Sequence, residues 1–529
     1  MPVGYWCPVL HAHLPYVRHP EYPQFLEEDW FFEALTETYI PLVSVLDGLL
    51  QDGVEYRLTM TLSPPLVSML TDGLLVSRYH RHLDRLVELS EKEIARTKRE
   101  DHRFQDVARF YFDELRRLRS IFRETYDSDL LRAFRKHRDA GKLEIITCGA
   151  THGFLPLMDP VPEAVRAQVH VAAQHYRRHF GRDASGIWLP ECGYLPGHER
   201  FLREVGLRFS FLESHGLTDA HPRPSAGVHA PIVSPGGIVF FGRDMESSRQ
   251  VWSAESGYPG DVDYREFYKD VGWELPLDYL EPYLGDGQRR NLGIKYHRVT
   301  GKVSLGDKQP YVREWAMGKA ASHAGDFLSN RQKQVEHLAG TLGRPPLVLS
   351  PYDAELFGHW WFEGPDFLNF LFRKMHFDQD VVKPTTPSEY LDRFPELEVC
   401  QPPMCTWGAK GYAEVWLNEG NHWIYPHLDM AAERMVELAR RFEYPNDRER
   451  RALNQAAREL LLAQSSDWAF IMKTNTTVEY ANKRTRDHIA RFDYLYRMLA
   501  TGGFLEEPIL REFEERDNIF PAIDYRVYR

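Results

Sequence analysis

At 529 residues the chain is too long for one ordinary hydrophobic core, so a large domain with appended units, two or three core units in all, is expected. With 43% apolar and 27% charged residues it carries no signature of disorder. Its 77 acidic against 65 basic side chains, a net charge of −12, argue against a polyanion such as nucleic acid as the main partner and suit a neutral one.

In chain order, Met1-Pro2-Val3-Gly4-Tyr5-Trp6 enters an apolar run without a basic leader, a longer apolar core or a cleavage site. No uninterrupted apolar stretch approaches the roughly 18 residues of a membrane helix. Cys7, Cys148, Cys192, Cys400 and Cys405 form no CxxC pair and no disulfide framework. A reducing, cytoplasmic setting without a membrane partner is therefore expected.

Short apolar runs ending in polar loops recur. Trp6 to Leu10 precedes His11-Ala12-His13, and Tyr56 to Leu62 precedes Ser63-Pro64-Pro65. From about Ser77 to His137 the pattern changes to long helices of mixed charge, best read as solvated faces of a helical insertion. The runs then resume: Leu143 to Thr147 before Thr151-His152, Ile187 to Leu189 before Pro190-Glu191, and Phe209 to Leu212 before Glu213-Ser214-His215. Val233 to Asp263, dense in Gly, Pro and Ser, reads as a long functional loop or lid. Leu347 to Leu349 precedes Ser350-Pro351-Tyr352-Asp353. After about Pro402 the pattern is helical, with Leu453, Ala456, Ala457, Leu460 and Leu461 on one face. Strands alternating with helices predict a parallel sheet whose chemistry gathers at the carboxyl ends of the strands.

Two of those ends carry a carboxylate among aromatic residues: Trp188-Leu189-Pro190-Glu191-Cys192-Gly193-Tyr194 and Tyr352-Asp353-Ala354-Glu355-Leu356-Phe357-Gly358-His359-Trp360-Trp361. A carboxyl pair astride a glycosidic bond is the minimal glycosidase apparatus. The competing reading of either residue is a helix N-cap or an arginine partner. A second function class, a metal-dependent amidohydrolase, is suggested by His11-x-His13 after the first strand, with His152, His215 and Asp353 as further ligands. Cys192 has no adjacent base and reads as a buried structural thiol.

With these motifs the chain resembles glycoside hydrolase family 57, and within it the glucan branching enzymes and a related bacterial α-amylase. The resemblance runs in order through His11-Ala12-His13-Leu14-Pro15-Tyr16, Gly141 to Cys148 with Thr151-His152, the Glu191 and Asp353 segments, and Ala463-Gln464-Ser465-Ser466-Asp467-Trp468-Ala469-Phe470. It implies an α/β fold, an incomplete TIM-like (β/α)7 barrel, with a helical insertion and an all-helical C-terminal domain. The bounds expected are 1–402 for the barrel domain, with the insertion at about 77–138, and 403–529 for the helical domain. The resemblance further implies a retaining mechanism with Glu191 as nucleophile and Asp353 as acid/base, and no metal or other cofactor. It implies an α-glucan partner such as amylose or glycogen, held by His11, His13, His152, Arg265, Trp273, Trp407 and Asp467; Trp416, which follows the Gly-rich segment Trp407-Gly408-Ala409-Lys410-Gly411-Tyr412, is expected to line the same cleft. For Asp467 an N-cap reading competes. Oligomeric state stays open, a monomer included. Branching enzymes of the family often carry a Tyr on the loop covering the cleft, whereas no Tyr lies between Tyr194 and Tyr258. Residues 235–244 are expected to supply that loop here.

Overall fold

The computed structural model describes residues 2–253, 257–503 and 505–529. Ten strands are present among them: β1 (Gly4–Ala12), β2 (Leu58–Leu62), β3 (Leu143–Cys148), β4 (Ile187–Trp188), β5 (Phe209–Leu212), β6 (Ile232–Val233), β7 (Val239–Gly242), β8 (Leu347–Asp353), β9 (Val382–Pro384) and β10 (Glu398–Val399). β4, β3, β2, β1 and β8 are neighbours in one parallel sheet. A parallel bridge from Gly186 to Phe209 joins β4 to β5, and β5 pairs in parallel with β7. The Asp244 amide, just past β7, donates to the Leu349 carbonyl of β8 at 2.9 Å. These links close a seven-stranded parallel barrel, with β9 added beside β1, β6 beside β7 and β10 beside β6.

Helices cross between the strands, and this explains why β1 is buried along its whole length and reads as a continuous apolar run rather than an alternating one. Between β2 and β3 lie the helices Gly73–Glu100, Gln105–Ser120 and Leu130–Asp139. The first starts where the Asp72 carboxylate accepts from the Leu75 amide at 3.0 Å. Downstream of the barrel, Asp447–Ala463 opens on a capping box in which Asn446 and Glu449 serve each other's amides at 2.9 and 2.8 Å. Leu453, Ala456, Ala457, Leu460 and Leu461 on that helix are all fully buried, against Val478–Thr501 among others. Among the described residues no helix is long and apolar enough to cross a membrane.

One expectation is overturned. Val233 to Asp263 is not an irregular lid: it holds the antiparallel β6–β7 pair and the helix Met245–Trp252, although Ala254, Glu255 and Ser256 lie outside the described residues. Gly237, at φ +83°, turns the hairpin, and Ile238, Phe240 and Phe241 are buried at 0–1% exposure. The phenylalanines expected to cover the site are thus barrel core. Gly237 faces Arg203 rather than a cleft.

Candidate active site

Every barrel strand delivers a polar side chain to the same, carboxyl-terminal end. β1 carries His11 as its last residue but one with His13 just beyond its end, Ser63 follows β2, His152 follows β3, Glu191 follows β4, Glu213 follows β5, Arg243 follows β7 and Asp353 closes β8. The register of β1 on β8 sets His11 opposite Asp353. Ser466 and Asp467, in the first turn of the helix Ser466–Thr474, reach the same point from the far end of the chain.

Glu191 sits at φ +63° and Cys192 at +49°, two successive residues in the left-handed region, and His152 is there too at +58°. Such conformations cost about 1–3 kcal/mol each and persist where surrounding contacts over-determine them. Here the contacts are plain. The Trp407 indole donates to Glu191 Oε2 at 2.9 Å, the Ser466 hydroxyl donates to Oε1 at 3.0 Å, and the Trp407 amide donates to the Glu191 carbonyl at 3.0 Å. His152 Nδ1 lies 2.8 Å from Ser466 Oγ and 3.8 Å from Glu191 Oε1.

The histidines form a stack. His13 lies on His152 with centroids 3.8 Å apart, and His11 lies on Trp188 at 4.5 Å. Burial drives the pKa of His11 and of His152 well below the ordinary value, so both are neutral. Their Nε2 atoms share a hydrogen bond of 2.9 Å. His13 differs: burial opposes its charge, but the Asp467 carboxylate, 3.1 Å from Nε2, raises its pKa overall. Reciprocally, burial works against the Asp467 charge and is outweighed by His13, so that the carboxyl falls to about 2.

The two carboxyls at the centre are differently furnished. Burial lifts Glu191 to about 7 and Asp353 to about 6, against weaker opposing effects of the Trp407 hydrogen bond on the first and of Arg243 on the second. Both therefore titrate near neutrality. Their hydrogen bonding differs. An indole N–H only donates, so Trp407 and Ser466 hold Glu191 as the acceptor, whereas among the described residues no side chain donates to Asp353. The two donors thus favour the carboxylate form of Glu191 against the burial that raises its pKa, whereas Asp353 has only the charges of Arg243 and His13 on that side.

Two donor groups, His11 with Cys148 and His152, and His13 with His152 and Asp467, are close enough to be compared with a metal site. In the second the donors are taken up by one another; in the first His11 and His152 share their Nε2 hydrogen bond, while His11 Nδ1 is buried without a hydrogen-bond partner among the described residues. The His11–His152 nitrogens are nearer than the about 3.3 Å that two ligands of one tetrahedral zinc keep. His215, counted toward the amidohydrolase set, binds the Gly411 carbonyl instead.

Residues 9–403 match the family profile described as "Glycosyl hydrolase family 57". The chain belongs to this family. Within family 57, residues 427–528 also match the profile "1,4-alpha-glucan branching enzyme, C-terminal". A relative from Thermococcus kodakarensis named 1,4-alpha-glucan branching enzyme is 33% identical, the match covering 98% of this chain and 78% of the relative. Among solved structures, the α-amylase AmyC of Thermotoga maritima is similar at a TM-score of 0.93 and 44% identity, covering 100% of this chain and 99% of that one. A GH57-type branching enzyme of Pyrococcus horikoshii is similar at 0.88 and 34%, covering 99% and 97%.

The family 57 fold thus brings His11, His13, His152, Glu191, Asp353, Trp407 and Asp467 together. The N-cap reading of Asp467 falls, since Ser465 occupies that position and Asp467 turns to His13. Trp416 is a correction: at 1% exposure it stacks on Phe154 at 4.5 Å and is core rather than a cleft wall. Arg265, 5% exposed, is committed to Glu37 at 3.1 Å. Trp273 stands apart, 55% exposed, with its indole donating to Asn291. Burial pushes the Cys192 thiol well up, which leaves it inert. Sequence reasoning passed over Ser466, because a serine between two better-marked residues gives no chemical signal. It also gave no role to Arg243, which joins Glu213 at 3.0 Å and lies over the Trp407 ring at 5.8 Å.

Trp407→Phe keeps a ring and removes the donor to Glu191. Turnover should fall about 10- to 100-fold. Because that donor favours the carboxylate, the acidic limb of the kcat/KM profile should move to higher pH; an unmoved limb would show that the indole does not act on the nucleophile.

Proposed function

We propose that the protein is a retaining 1,4-α-glucan branching enzyme, acting on amylose or glycogen in the cytoplasm. The observation that carries the reading is the Glu191–Asp353 pair, one held by two donors and one without a side-chain donor, at the mouth of a barrel followed by the branching-enzyme C-terminal sequence. Asp353 gives its proton to the glycosidic oxygen while Glu191 attacks C1, which yields a glycosyl ester and a shortened chain. The Asp353 carboxylate then takes the proton of a glucan 6-hydroxyl, which attacks C1 and releases Glu191. Asp467 and His13 lie nearest the sugar hydroxyls with the buried His11 and His152 behind them, Trp407 offers a ring face beside Glu191, and the exposed Trp273 offers an outer one.

Water competes for the same ester, and transfer wins only where an acceptor is held against it. The 44% identity to an α-amylase and the absence of Tyr between Tyr194 and Tyr258 favour hydrolysis as a second reading. Incubation with amylose, following α-1,6 linkages and reducing ends together, decides. Isoamylase-sensitive branches should form as the main product with a smaller rise in reducing ends. Reducing ends rising in step with every bond broken, with no branches, would make the protein an α-amylase.

A further inference from the structure

Large aromatic side chains stay exposed only where something covers them in use or where the exposure costs little, and clustered ones call for an explanation. Trp360 is 54% exposed, and Tyr268 and Trp273 of the facing segment are 71% and 55% exposed. Trp360 is not a loose surface residue. One face of its indole is backed by Phe267, with centroids 4.5 Å apart and planes 17° from parallel. Phe267 is fixed in turn by the buried Lys295, whose ammonium lies 4.4 Å from the ring centroid and donates to the Phe267 carbonyl at 2.6 Å.

The backbone under Trp360 is equally constrained. Its amide donates to the Glu355 carbonyl at 3.1 Å, two residues past Asp353. His359 is held from the π-helical turn Ala34–Tyr39: its Nδ1 pairs with Glu37 Oε2 at 2.8 Å and its amide donates to Thr38 Oγ1 at 3.2 Å. The other Glu37 oxygen takes Arg265 at 3.1 Å. Gly358, at φ +126°, packs so closely on this turn that a Cβ would lie 1.8 Å from the Glu37 carbonyl oxygen. Only glycine permits that approach. A chain of paired side chains, Arg265–Glu37–His359, buried at its first two members, therefore braces the backbone under an indole whose outer face is open.

We propose that the outer face of Trp360, backed by Phe267, is an additional stacking subsite for an α-glucan chain, held in register with Asp353 by their common loop. This rests on the glucan substrate class given above. A pre-oriented flat ring rimmed by the polar His359 and Glu33, 3.9 Å apart, matches a pyranose, which has an apolar C–H face and a hydroxyl edge. Continuity with the carboxyl pair favours glucan over a protein partner. It also gives Arg265 a positioning function that its burial otherwise denies it.

The test is affinity electrophoresis in gels containing amylopectin, in the Glu191→Gln background so that the polymer is not consumed. Trp360→Ala should raise the apparent Kd about threefold to tenfold, with the melting temperature unchanged because the ring is half exposed. Trp360→Phe, which keeps a stacking face, should restore most of the affinity. Retardation unaltered by Trp360→Ala would overturn this inference alone, as would Trp360→Phe behaving like the alanine variant. Failure of Glu191→Gln itself to be retarded would overturn the glucan reading and this inference with it.

Discussion

Glu191→Gln and Asp353→Asn should each lower turnover of amylose by about four orders of magnitude or more while leaving the fold intact. Each removes one half of a two-carboxyl device: without Glu191 nothing forms the ester, and without Asp353 nothing protonates the leaving oxygen. The two losses differ in how they can be repaired. In Glu191→Ala, azide can occupy the vacated position and attack an activated substrate, so added azide should restore part of the rate. Full activity in either isosteric variant would remove the mechanism. Stability should move the other way. Both carboxyls have folded-state pKa values above their ordinary ones, about 7 for Glu191 and about 6 for Asp353. The native state therefore binds more protons than the unfolded chain from about pH 4 to 7, and stability is lost as pH rises through that window. A neutral amide escapes the loss, so at pH 8 each variant should melt about 2–3 °C above the parent, and at pH 4 the difference should vanish.

The parts legible in the sequence were those in which one residue carries its own signal. Strands with both faces covered announce themselves as apolar runs, and β1, β2, β3, β4, β5 and β8 were found that way together with the polar residue at each end. β7 was not. Its four residues stand among Gly, Pro and Ser, and composition overrode the Val239 to Phe241 run. Trp416 failed for the opposite reason. A Gly-rich loop suggests exposure, but only the tertiary partner Phe154 decides whether an indole is covered. The same limit hid Arg265: a charged residue on an irregular segment says nothing of a glutamate 228 positions away. Spacing cannot reveal such pairings, and the stack of His13 on His152 or the two-handed Ser466 emerges only when barrel and helical segment meet.

Asp467→Ala should have the second largest effect, a fall in turnover of about 100-fold or more together with a lower melting temperature. The carboxylate is 454 positions from His13 in sequence yet makes its ion pair inside the protein, and the Ser465 hydroxyl donates to it as well. Removing one partner of a buried pair leaves the other uncompensated, which typically costs about 3–5 kcal/mol unless that group changes its protonation. His13 can do so. Without Asp467 burial prevails, its pKa falls, and the imidazole becomes neutral. The positive charge that now helps hold down the pKa of Asp353 and Glu355 is then lost. His13 also loses the partner that fixes its ring on His152, and with it the surface that places Ser466 and Glu191. Asp467→Asn separates these effects, because the amide retains a hydrogen bond to His13 without the charge. It should recover most of the melting temperature and little of the turnover. An asparagine variant with full activity would show that the carboxylate serves the fold alone, and that the charge on His13 is not used in the reaction.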